Sequence, residues 1–363
     1  MKKILLLAGE ESGVIYRDAI CKRLTDCEIR GYGDYGFETA DLAVMGFWPV
    51  LKKIFFFLRV KKVIERAIDE WKPDIVATID YPGLNLKIAR YAKKRGIKTI
   101  HIVCPQVWAW KKGRIPKIEK SLDRLCCFFP FEPKLFKKDF AVFVGHPLAA
   151  EFEDFRRAKI VETDEKILAM LPGSRIGEIE KILPVLMACA KNLKSADPSL
   201  KIVVPAANSK ALDAINGILS RENLSEIIEV RSGGARELLR TATAAVVASG
   251  TASLEAALAR CPTVIVYKVG RILAWFARRV IKGVRHVGLA NIIAEKSNLD
   301  IPMVELLQDD FTESSVTSNV RELLANSDSR ENAVKKIDAV LNLLSSEIQD
   351  PIGNILLVFN GEL

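Results

Sequence analysis

The sequence predicts an α/β protein with two doubly wound parallel sheets. Short apolar runs alternate with helical patterns along nearly the whole chain, which is typical of strand-helix-strand units. Hydrophobic residues make up 49% of the 363 positions, enough for two separate cores. A break near Gly145-His146-Pro147, followed by the charged stretch 151–165, divides the chain into two similar halves. We expect a ligand cleft between the two halves.

Eight apolar runs are the predicted strands. They are Ile4–Ala8, Ile75–Ile79, Thr99–Val103 and Leu125–Phe129 in the first half, and Ile167–Leu171, Lys201–Val204, Ala244–Ala248 and Thr263–Tyr267 in the second. The first run follows a charged start, as in a signal peptide, but it is too short for one, so we interpret it as a buried strand. The last helical pattern, Val334–Leu344, is expected to pack back across the first domain.

Charge and cysteine content limit the classes of partner and compartment. The formal net charge is +9, which favours an acidic partner such as a membrane surface or a phosphorylated substrate. The chain shows no helix-turn-helix, RNP-like or Cys/His module, so we do not expect nucleic acid. Seven cysteines without a C-x-x-C motif and three scattered histidines predict no disulfide framework, no metal site and a reducing cytosolic compartment.

Two basic amphipathic segments, 50–64 and 271–282, are typical of helices that lie in a membrane interface. Neither reaches the roughly 18 uninterrupted apolar residues that a spanning helix requires. The alternative is that both are ordinary core-facing helices with solvated cations, although three adjacent phenylalanines between basic pairs favour lipid contact. The residues predicted to meet membrane or acyl chains are Phe55, Phe56, Phe57, Trp275 and Phe276.

The segment Leu171–Ile182, LPGSRIGEIEKI, predicts an anion site. A short apolar run ends on Gly173, Ser174 and Arg175, and a helix begins at once. Free backbone N–H groups at a helix start, together with a guanidinium, favour phosphate. The alternative is an ordinary strand-to-helix turn with a solvated arginine.

A second segment, Val246–Glu255, repeats this pattern. An apolar strand leads into Ser249, Gly250 and Thr251 and then into an alanine-rich helix, with Glu255 one turn further on, where it can reach a ribose. The alternative is that Thr251 is only an N-cap and Glu255 only complements the helix dipole. Two such turns in one half predict a nucleotide.

The strand Ile75–Ile79 leads directly into Asp80, at the carboxyl edge of the predicted first sheet. Ligands of open parallel sheets bind at this edge, and partial burial there raises the pKa of a carboxylate toward the range useful for a general base. The alternative is an Asp that caps the next turn or helix. Glu10 and Ser12 follow the first strand in a glycine-flanked loop that is suited to holding a ligand.

These motifs together resemble those of the lipid-A-disaccharide synthases, a family of bacterial inverting glycosyltransferases with the two-domain GT-B fold. The matching segments, in chain order, are AGEESG (8–13), LAVMG (42–46), IDYPGLN (79–85), KTIHIVCPQVWAW (98–110), FFPFE (128–132), GHP (145–147), LPGSR (171–175), ASGTASLE (248–255) and ANIIA (290–294). No single segment is decisive, but the ordered set is highly specific.

The resemblance implies a reaction in which UDP-2,3-diacylglucosamine donates its sugar to the 6-hydroxyl of 2,3-diacylglucosamine 1-phosphate, forming a β-1,6-linked disaccharide phosphate and UDP. It implies that Asp80 is the base and that Glu10 and Ser12 serve the acceptor and the reaction centre. No metal or other cofactor is implied. The residues then expected to hold UDP are Gly173, Ser174, Arg175, Ser249, Gly250, Thr251, Ser253, Glu255 and Asn291.

The same resemblance assigns the two halves. Residues 1–150 would form a Rossmann-like acceptor and membrane domain, residues 151–330 a Rossmann-like UDP-sugar domain, and residues 331–363 a helical segment. The protein would be cytoplasmic and bound peripherally to an anionic inner-membrane surface, and the sequence leaves open whether it is a monomer or a homodimer. The alternatives are a 2-epimerase or polyprenyl-lipid glycosyltransferase of the same fold, or a non-catalytic membrane module that binds UDP-sugars.

Overall fold

The computed structural model describes residues 1–42, 54–110, 112–153, 165–222, 226–270, 283–345 and 350–363. The chain forms two compact units, one of Met1–Ala150 with Leu344–Leu363 and one of Glu151–Leu343. The second unit thus extends beyond residue 330, where the sequence interpretation ended it. Each unit contains a six-stranded, fully parallel sheet with helices, so the predicted α/β architecture is confirmed.

The sheet of the first unit has the strand order β2-β1-β3-β4-β5-β6. Its strands are β1 (Lys2–Ala8), β2 (Cys27–Arg30), β3 (Ile75–Ile79), β4 (Lys98–Ile102), β5 (Arg124–Cys127) and β6 (Ala141–Phe143). Its α-helices are α1 (Glu11–Cys21), α2 (Thr39–Leu42), α3 (Ile54–Trp71), α4 (Pro82–Lys93), α5 (Ile115–Glu119) and α6 (Pro147–Glu151), the last of which ends at the first residue of the second unit.

Both faces of this sheet are covered by apolar side chains. Along β1, Leu6 points to one core and Leu5 to the other, because successive strand residues face opposite sides. The core that contains Leu6 also contains Ile355 and Phe359, from a C-terminal helix that returns to the first unit. The predicted return is therefore confirmed, but the returning helix is Pro351–Asn360 and not the pattern Val334–Leu344.

The sheet of the second unit has the strand order β12-β11-β10-β7-β8-β9. Its strands are β7 (Ile167–Leu171), β8 (Lys201–Ala206), β9 (Glu229–Ser232), β10 (Ala244–Ala248), β11 (Thr263–Tyr267) and β12 (Val304–Leu307). The remaining α-helices are α7 (Ile176–Ala196), α8 (Ser209–Arg221), α9 (Ala235–Thr241), α10 (Thr251–Leu258), α11 (Leu289–Lys296), α12 (Glu313–Ala325), α13 (Ser327–Ser345) and the returning helix α14 (Pro351–Asn360).

All eight predicted strands are present, and four further strands were not predicted. These four are β2, β6, β9 and β12, which are the two edge strands of each sheet. Their residues are mostly half-buried or exposed, whereas β3 and β10 are buried along their whole length. An edge strand is short and only partly covered, so it lacks the continuous apolar run on which the prediction depended.

Candidate active site

Asp80 lies directly after β3, at the carboxyl edge of the first sheet, in a strained backbone conformation. Its φ is 49° and that of the next residue, Tyr81, is 50°, so two consecutive non-glycine residues are left-handed. Such a conformation costs on the order of 1–3 kcal/mol per residue and persists only where the surroundings enforce it. Strain of this kind is common where a side chain must be aimed at a ligand.

Asn85, in the first turns of α4, holds this strained turn in place. Its Nδ2 donates to the backbone carbonyls of Ile79 at 3.1 Å and Asp80 at 2.8 Å. Its Oδ1 accepts from the hydroxyl of Tyr32 at 2.6 Å, and both side chains are buried. No role was predicted for Asn85 or Tyr32. The available signal was an asparagine among the apolar residues of α4.

The carboxylate of Asp80 is partly removed from solvent. Burial raises its pKa above the usual value, and the hydrogen bond from the Tyr81 N–H to Oδ1, at 2.8 Å, opposes that rise. Burial also raises the pKa of Glu10, and the charge of Asp80 raises it further. The structure therefore brings the two predicted carboxylates into one electrostatic environment. A carboxylate in such surroundings binds a proton more readily than one in water, as a general base requires.

The loop that carries Glu10 packs tightly on the Asp80 turn. A Cβ at Gly9 would lie 2.6 Å from the Cβ of Tyr81, a distance that only glycine avoids. The third residue predicted in this loop, Ser12, lies in the first turn of α1, and its side chain is outside the described part of the structure.

The three phenylalanines that were predicted to contact lipid lie on α3 in different environments. Phe55 is 82% exposed, whereas Phe56 and Phe57 are partly buried against the core of the first unit. The ring of Phe57 lies 6.1 Å from that of Tyr81. Ile54 and Leu58 are also exposed, at 47% and 55%. An apolar surface therefore exists at the start of α3, and Phe55 is the phenylalanine that contributes most to it.

Two predicted lipid-contact residues, Trp275 and Phe276, lie outside the described residues. Among those that are described, no helix is both long and apolar enough to cross a bilayer.

The two predicted phosphate turns lie side by side in the second unit. Strands β7 and β10 are hydrogen-bonded neighbours, and both turns leave the carboxyl edge of this pair. Gly173 has a φ of 111° and Gly250 a φ of 147°, conformations that side-chain-bearing residues rarely adopt. A Cβ at Gly173 would lie 3.7 Å from the Cβ of Ala248, so the turns nearly touch.

Each turn opens a helix, and the polar groups of both turns are accessible. Ser174, Arg175 and Thr251 are exposed at the starts of α7 and α10. The guanidinium of Arg175 pairs with Glu178 at 2.8 Å, and its side chain remains 63% exposed. Two helix N-termini and an arginine at one sheet edge form an arrangement suited to a diphosphate.

Tyr267, at the end of β11, belongs to the same region, although it was predicted only as a strand residue. Burial raises the pKa of its hydroxyl, the charge of Glu178 raises it further, and the charge of Arg175 opposes the rise. Its phenol therefore stays protonated and can donate a hydrogen bond.

Three residues expected to hold UDP, Ser249, Ser253 and Asn291, form hydrogen bonds to other residues of the second unit. The Ser249 hydroxyl donates to the Val287 carbonyl at 3.1 Å, and Ser253 Oγ accepts from the Leu289 N–H at 3.3 Å. Asn291 is fully buried. Its amide donates to the Met303 carbonyl and to Glu305 and accepts from the Met303 N–H. The two serines link the turn after β10 to the start of α11, and Asn291 links α11 to β12 and to the residue before it.

Glu255, the predicted ribose ligand, forms an ion pair with Arg236 at 2.9 Å, and Arg236 also pairs with Glu151 at 2.8 Å. The guanidinium of Arg236 further lies 5.1 Å from the ring centroid of Phe152. The Glu255 side chain is 18% exposed, so its carboxylate is held in one orientation. No role was predicted for Arg236.

One buried group in the described residues has donor atoms suited to a metal ion. The sulfurs of Cys104 and Cys127 and a carboxylate oxygen of Glu132 lie within 4.8 Å of one another. Glu132 already accepts from the Trp108 indole N–H at 3.0 Å and from the Phe129 N–H at 3.1 Å. Burial raises its pKa to about 7. These contacts explain its position as part of the packing of the first unit.

Comparisons with known proteins agree on one family. The family model described as lipid-A-disaccharide synthetase matches residues 4–356. The lipid-A-disaccharide synthase of Coxiella burnetii is 36% identical over 357 residues, which covers 93% of this chain and 92% of that relative.

Solved structures with the same fold are much more distant in sequence. The calicheamicin glycosyltransferase CalG4 has a TM-score of 0.62 at 15% identity, covering 100% of this chain and 99% of that chain. The S. aureus MnaA-UDP co-structure has a TM-score of 0.60 at 13% identity, covering 100% of this chain and 98% of that chain. At these identities the likeness concerns the fold alone.

Proposed function

The chain belongs to the lipid-A-disaccharide synthetase family, so it is a glycosyltransferase of lipid A disaccharide synthesis, and we propose how its residues divide the reaction. The donor is UDP-2,3-diacylglucosamine and the acceptor is 2,3-diacylglucosamine 1-phosphate. The products are the β-1,6-linked tetraacyl disaccharide 1-phosphate and UDP. The second unit binds the uridine nucleotide, and the first unit binds the acceptor and activates its hydroxyl.

The observation that carries this proposal is the adjacency of the two glycine turns on β7 and β10. They bring the starts of α7 and α10 to one sheet edge, with Arg175 exposed beside them. Backbone N–H groups at helix starts bind phosphate without any side-chain charge, and a guanidinium adds bidentate hydrogen bonds. Two such starts match the two phosphates of UDP.

The chemistry follows from the charges that develop in a single displacement. As the acceptor 6-hydroxyl attacks the anomeric carbon of the donor, Asp80 takes the hydroxyl proton, and the bond from the anomeric carbon to the diphosphate oxygen breaks. Arg175 and the helix-start N–H groups stabilise the negative charge left on the diphosphate. One displacement inverts the anomeric configuration, so an α-linked donor gives a β-linked product.

The residues that contact the membrane in this proposal lie at the exposed start of α3. Ile54, Phe55 and Leu58 form an apolar surface in the unit that carries Asp80. Each methylene of a lipid chain adds on the order of 0.8 kcal/mol to membrane retention, so acylated substrates stay in the bilayer. We propose that this surface rests on an anionic inner membrane and gives the protein access to both substrates.

The decisive experiment supplies purified protein with both acylated substrates in detergent micelles. We expect equimolar UDP and tetraacyl disaccharide phosphate, measured by a coupled UDP assay and by mass spectrometry, and no UDP when the acceptor is left out. UDP released without an acceptor, or no disaccharide with both substrates present, would contradict the proposal.

Two alternatives are tested in the same assay. A 2-epimerase would convert water-soluble UDP-N-acetylglucosamine without an acceptor, which proton NMR detects directly. A non-catalytic membrane module would bind vesicles and UDP and release nothing.

A further inference from the structure

A basic groove lies on the first unit beside the Asp80 turn, lined by residues from α3, α4 and α5 and their flanks. Its volume is about 490 Å³, which is enough for a small ligand. Its cations are Lys61, Lys87, Arg90, Lys94, Arg114 and Lys117.

Helical spacing explains why these charges converge. Lys87 and Arg90 lie on α4 and Lys94 directly follows it, at positions i, i+3 and i+7, so the three share one side of the helix. Arg114 and Lys117 supply the opposite side, three residues apart. The groove is therefore a continuous, positively charged surface.

Carboxylates neutralise little of this charge. Glu65 is the acidic residue of the groove, and it pairs with Lys61. Within the part of the chain that the structure describes, Lys87, Arg90, Lys94, Arg114 and Lys117 form no ion pair. A concentration of like charges repels itself and focuses a positive potential, and a bound anion relieves that repulsion.

The position of the groove connects it to the proposed chemistry. Pro82 and Gly83, which open α4, line the groove and follow Asp80 within three residues. Arg90 lies eight residues after Pro82, about 12 Å along the helix axis at 1.5 Å per residue. Because side chains on a helix lean toward its N-terminus, the cations of α4 reach back toward Pro82 and the Asp80 turn.

We propose that this groove binds the 1-phosphate of the acceptor glycolipid and thereby places its 6-hydroxyl at Asp80. The inference rests on the proposed function, since it takes the acceptor from it. A phosphate monoester carries about two negative charges at neutral pH and offers three acceptor oxygens, which suits lysine and arginine donors. The exposed apolar residues at the start of α3, about one to two turns before Lys61, then lie where the acyl chains of that lipid enter.

The test compares two double variants with equal loss of charge. Lys87→Ala/Arg90→Ala removes two groove cations, and Lys134→Ala/Lys138→Ala removes two exposed cations outside the groove. In neutral-detergent micelles we expect the groove variant to raise the acceptor KM, and the acceptor Kd measured by calorimetry, by about tenfold or more, as the loss of charge-assisted bonds predicts. The donor KM and the unfolding midpoint should match those of the control variant.

A dephosphorylated acceptor distinguishes phosphate binding from general loss of affinity. With that analogue, the groove and control variants should have equal KM values. Equal affinities for the phosphorylated acceptor would overturn the proposal. So would a groove variant that loses only its binding to vesicles containing phosphatidylglycerol, because the groove would then bind bulk phospholipid. If the wild-type protein binds the acceptor through the groove without forming disaccharide, the reaction assignment fails and the phosphate site stands.

Discussion

The side-chain amide of Asn85 donates a hydrogen bond of 2.8 Å to the backbone carbonyl of Asp80. The same nitrogen donates to Ile79, and Tyr32 donates to the Asn85 carbonyl oxygen, so a chain of buried hydrogen bonds leads to the proposed base. Because Asp80 is left-handed, its carboxylate keeps its direction only while the two bonds from Asn85 to the backbone are intact. Asn85 is therefore a positioning residue for the proposed reaction.

Asn85→Ala should impair both folding and catalysis. The substitution removes the hydrogen bonds of Asn85 to two buried backbone carbonyls and to the Tyr32 hydroxyl, so we expect the free energy of unfolding to fall by about 2–3 kcal/mol. Turnover should fall by about tenfold or more, since a small misplacement of a catalytic group is costly. Denaturant titration and steady-state kinetics below the unfolding transition measure the two effects.

The matched control for this variant is Tyr32→Phe. It removes one hydrogen bond to Asn85 and keeps both bonds from Asn85 to the backbone. Its turnover should stay close to that of the wild type. An Asn85→Ala variant that is folded and turns over as fast as Tyr32→Phe would show that Asn85 does not position Asp80.

Asp80→Asn should stabilise the folded protein at neutral pH. Burial raises the folded-state pKa of Asp80 above its usual value of 3.8, so the ionised carboxylate weakens the folded state once the pH exceeds that folded-state pKa. Removing the charge should raise the free energy of unfolding by about 1 kcal/mol at pH 7.5, as substitutions at functional sites often do.

The pH dependence gives this prediction its sign. As the pH falls through the folded-state pKa, the wild-type carboxyl takes up a proton. The stability gap between variant and wild type should therefore shrink as the pH falls toward 3.8, the usual pKa of Asp. Denaturant unfolding at several pH values between 4 and 8 measures the gap, on the order of 1 kcal/mol at most. A gap that widens on acidification would mean that Asp80 is stabilised as an anion.

Arg175→Ala should weaken donor binding without loss of stability. Its ion pair with Glu178 lies at the surface, where such pairs contribute about 0–1 kcal/mol, so the unfolding midpoint should change little. Loss of a guanidinium at a diphosphate should raise the KM for the UDP-sugar by about tenfold or more and leave the acceptor KM unchanged.

Arg231→Ala is the control for Arg175→Ala. It removes an exposed arginine that also pairs with a nearby glutamate, Glu229, in the same unit. Its donor KM should equal that of the wild type. Equal donor KM values in both variants would remove Arg175 from the nucleotide site.

Gly250→Ala should disturb the Ser249-Gly250-Thr251 turn through the backbone alone. A Cβ at this position would meet no atom within 4 Å, but the φ of 147° is unfavourable for any side-chain-bearing residue. We expect a loss of about 1–3 kcal/mol in stability and a weaker UDP affinity. Gly177→Ala, in the first turn of α7 with open space around it and no positive φ, should be neutral or slightly stabilising. Calorimetric UDP titrations compare the two, and equal UDP affinities would contradict the prediction.

The sequence was sufficient for the features that depend on local pattern. Central strands such as β3 and β10 are continuous apolar runs, and a glycine between a strand and a helix marks each phosphate turn. The edge strands were missed because a strand with one free edge carries half-buried residues that resemble a loop. A C-terminal helix that returns to the first unit was predicted, but it was assigned to Val334–Leu344 and not to Pro351–Asn360. An amphipathic pattern does not reveal which sheet a helix will cover.

Within the candidate site, the motifs were predictable from the sequence, but the contacts between distant residues were not. Tyr32 and Asn85 are 53 residues apart and Arg236 and Glu255 are 19 apart, so no local spacing reveals either pair. Local spacing also does not reveal the hydrogen-bond partners of Asn291. Its motif predicts a ligand contact, and only the structure reveals that its side chain is buried and links α11 to Met303 and Glu305.

The most direct test of the central claim is the turnover of Asp80→Ala with both acylated substrates at saturation, alongside calorimetric titration of UDP into the same variant. If Asp80 is the base and the second unit holds the nucleotide, disaccharide formation should fall by about 10²–10⁴-fold while the UDP affinity stays at the wild-type value. Turnover within a few-fold of the wild type, or no UDP binding by the wild-type protein, would contradict the account.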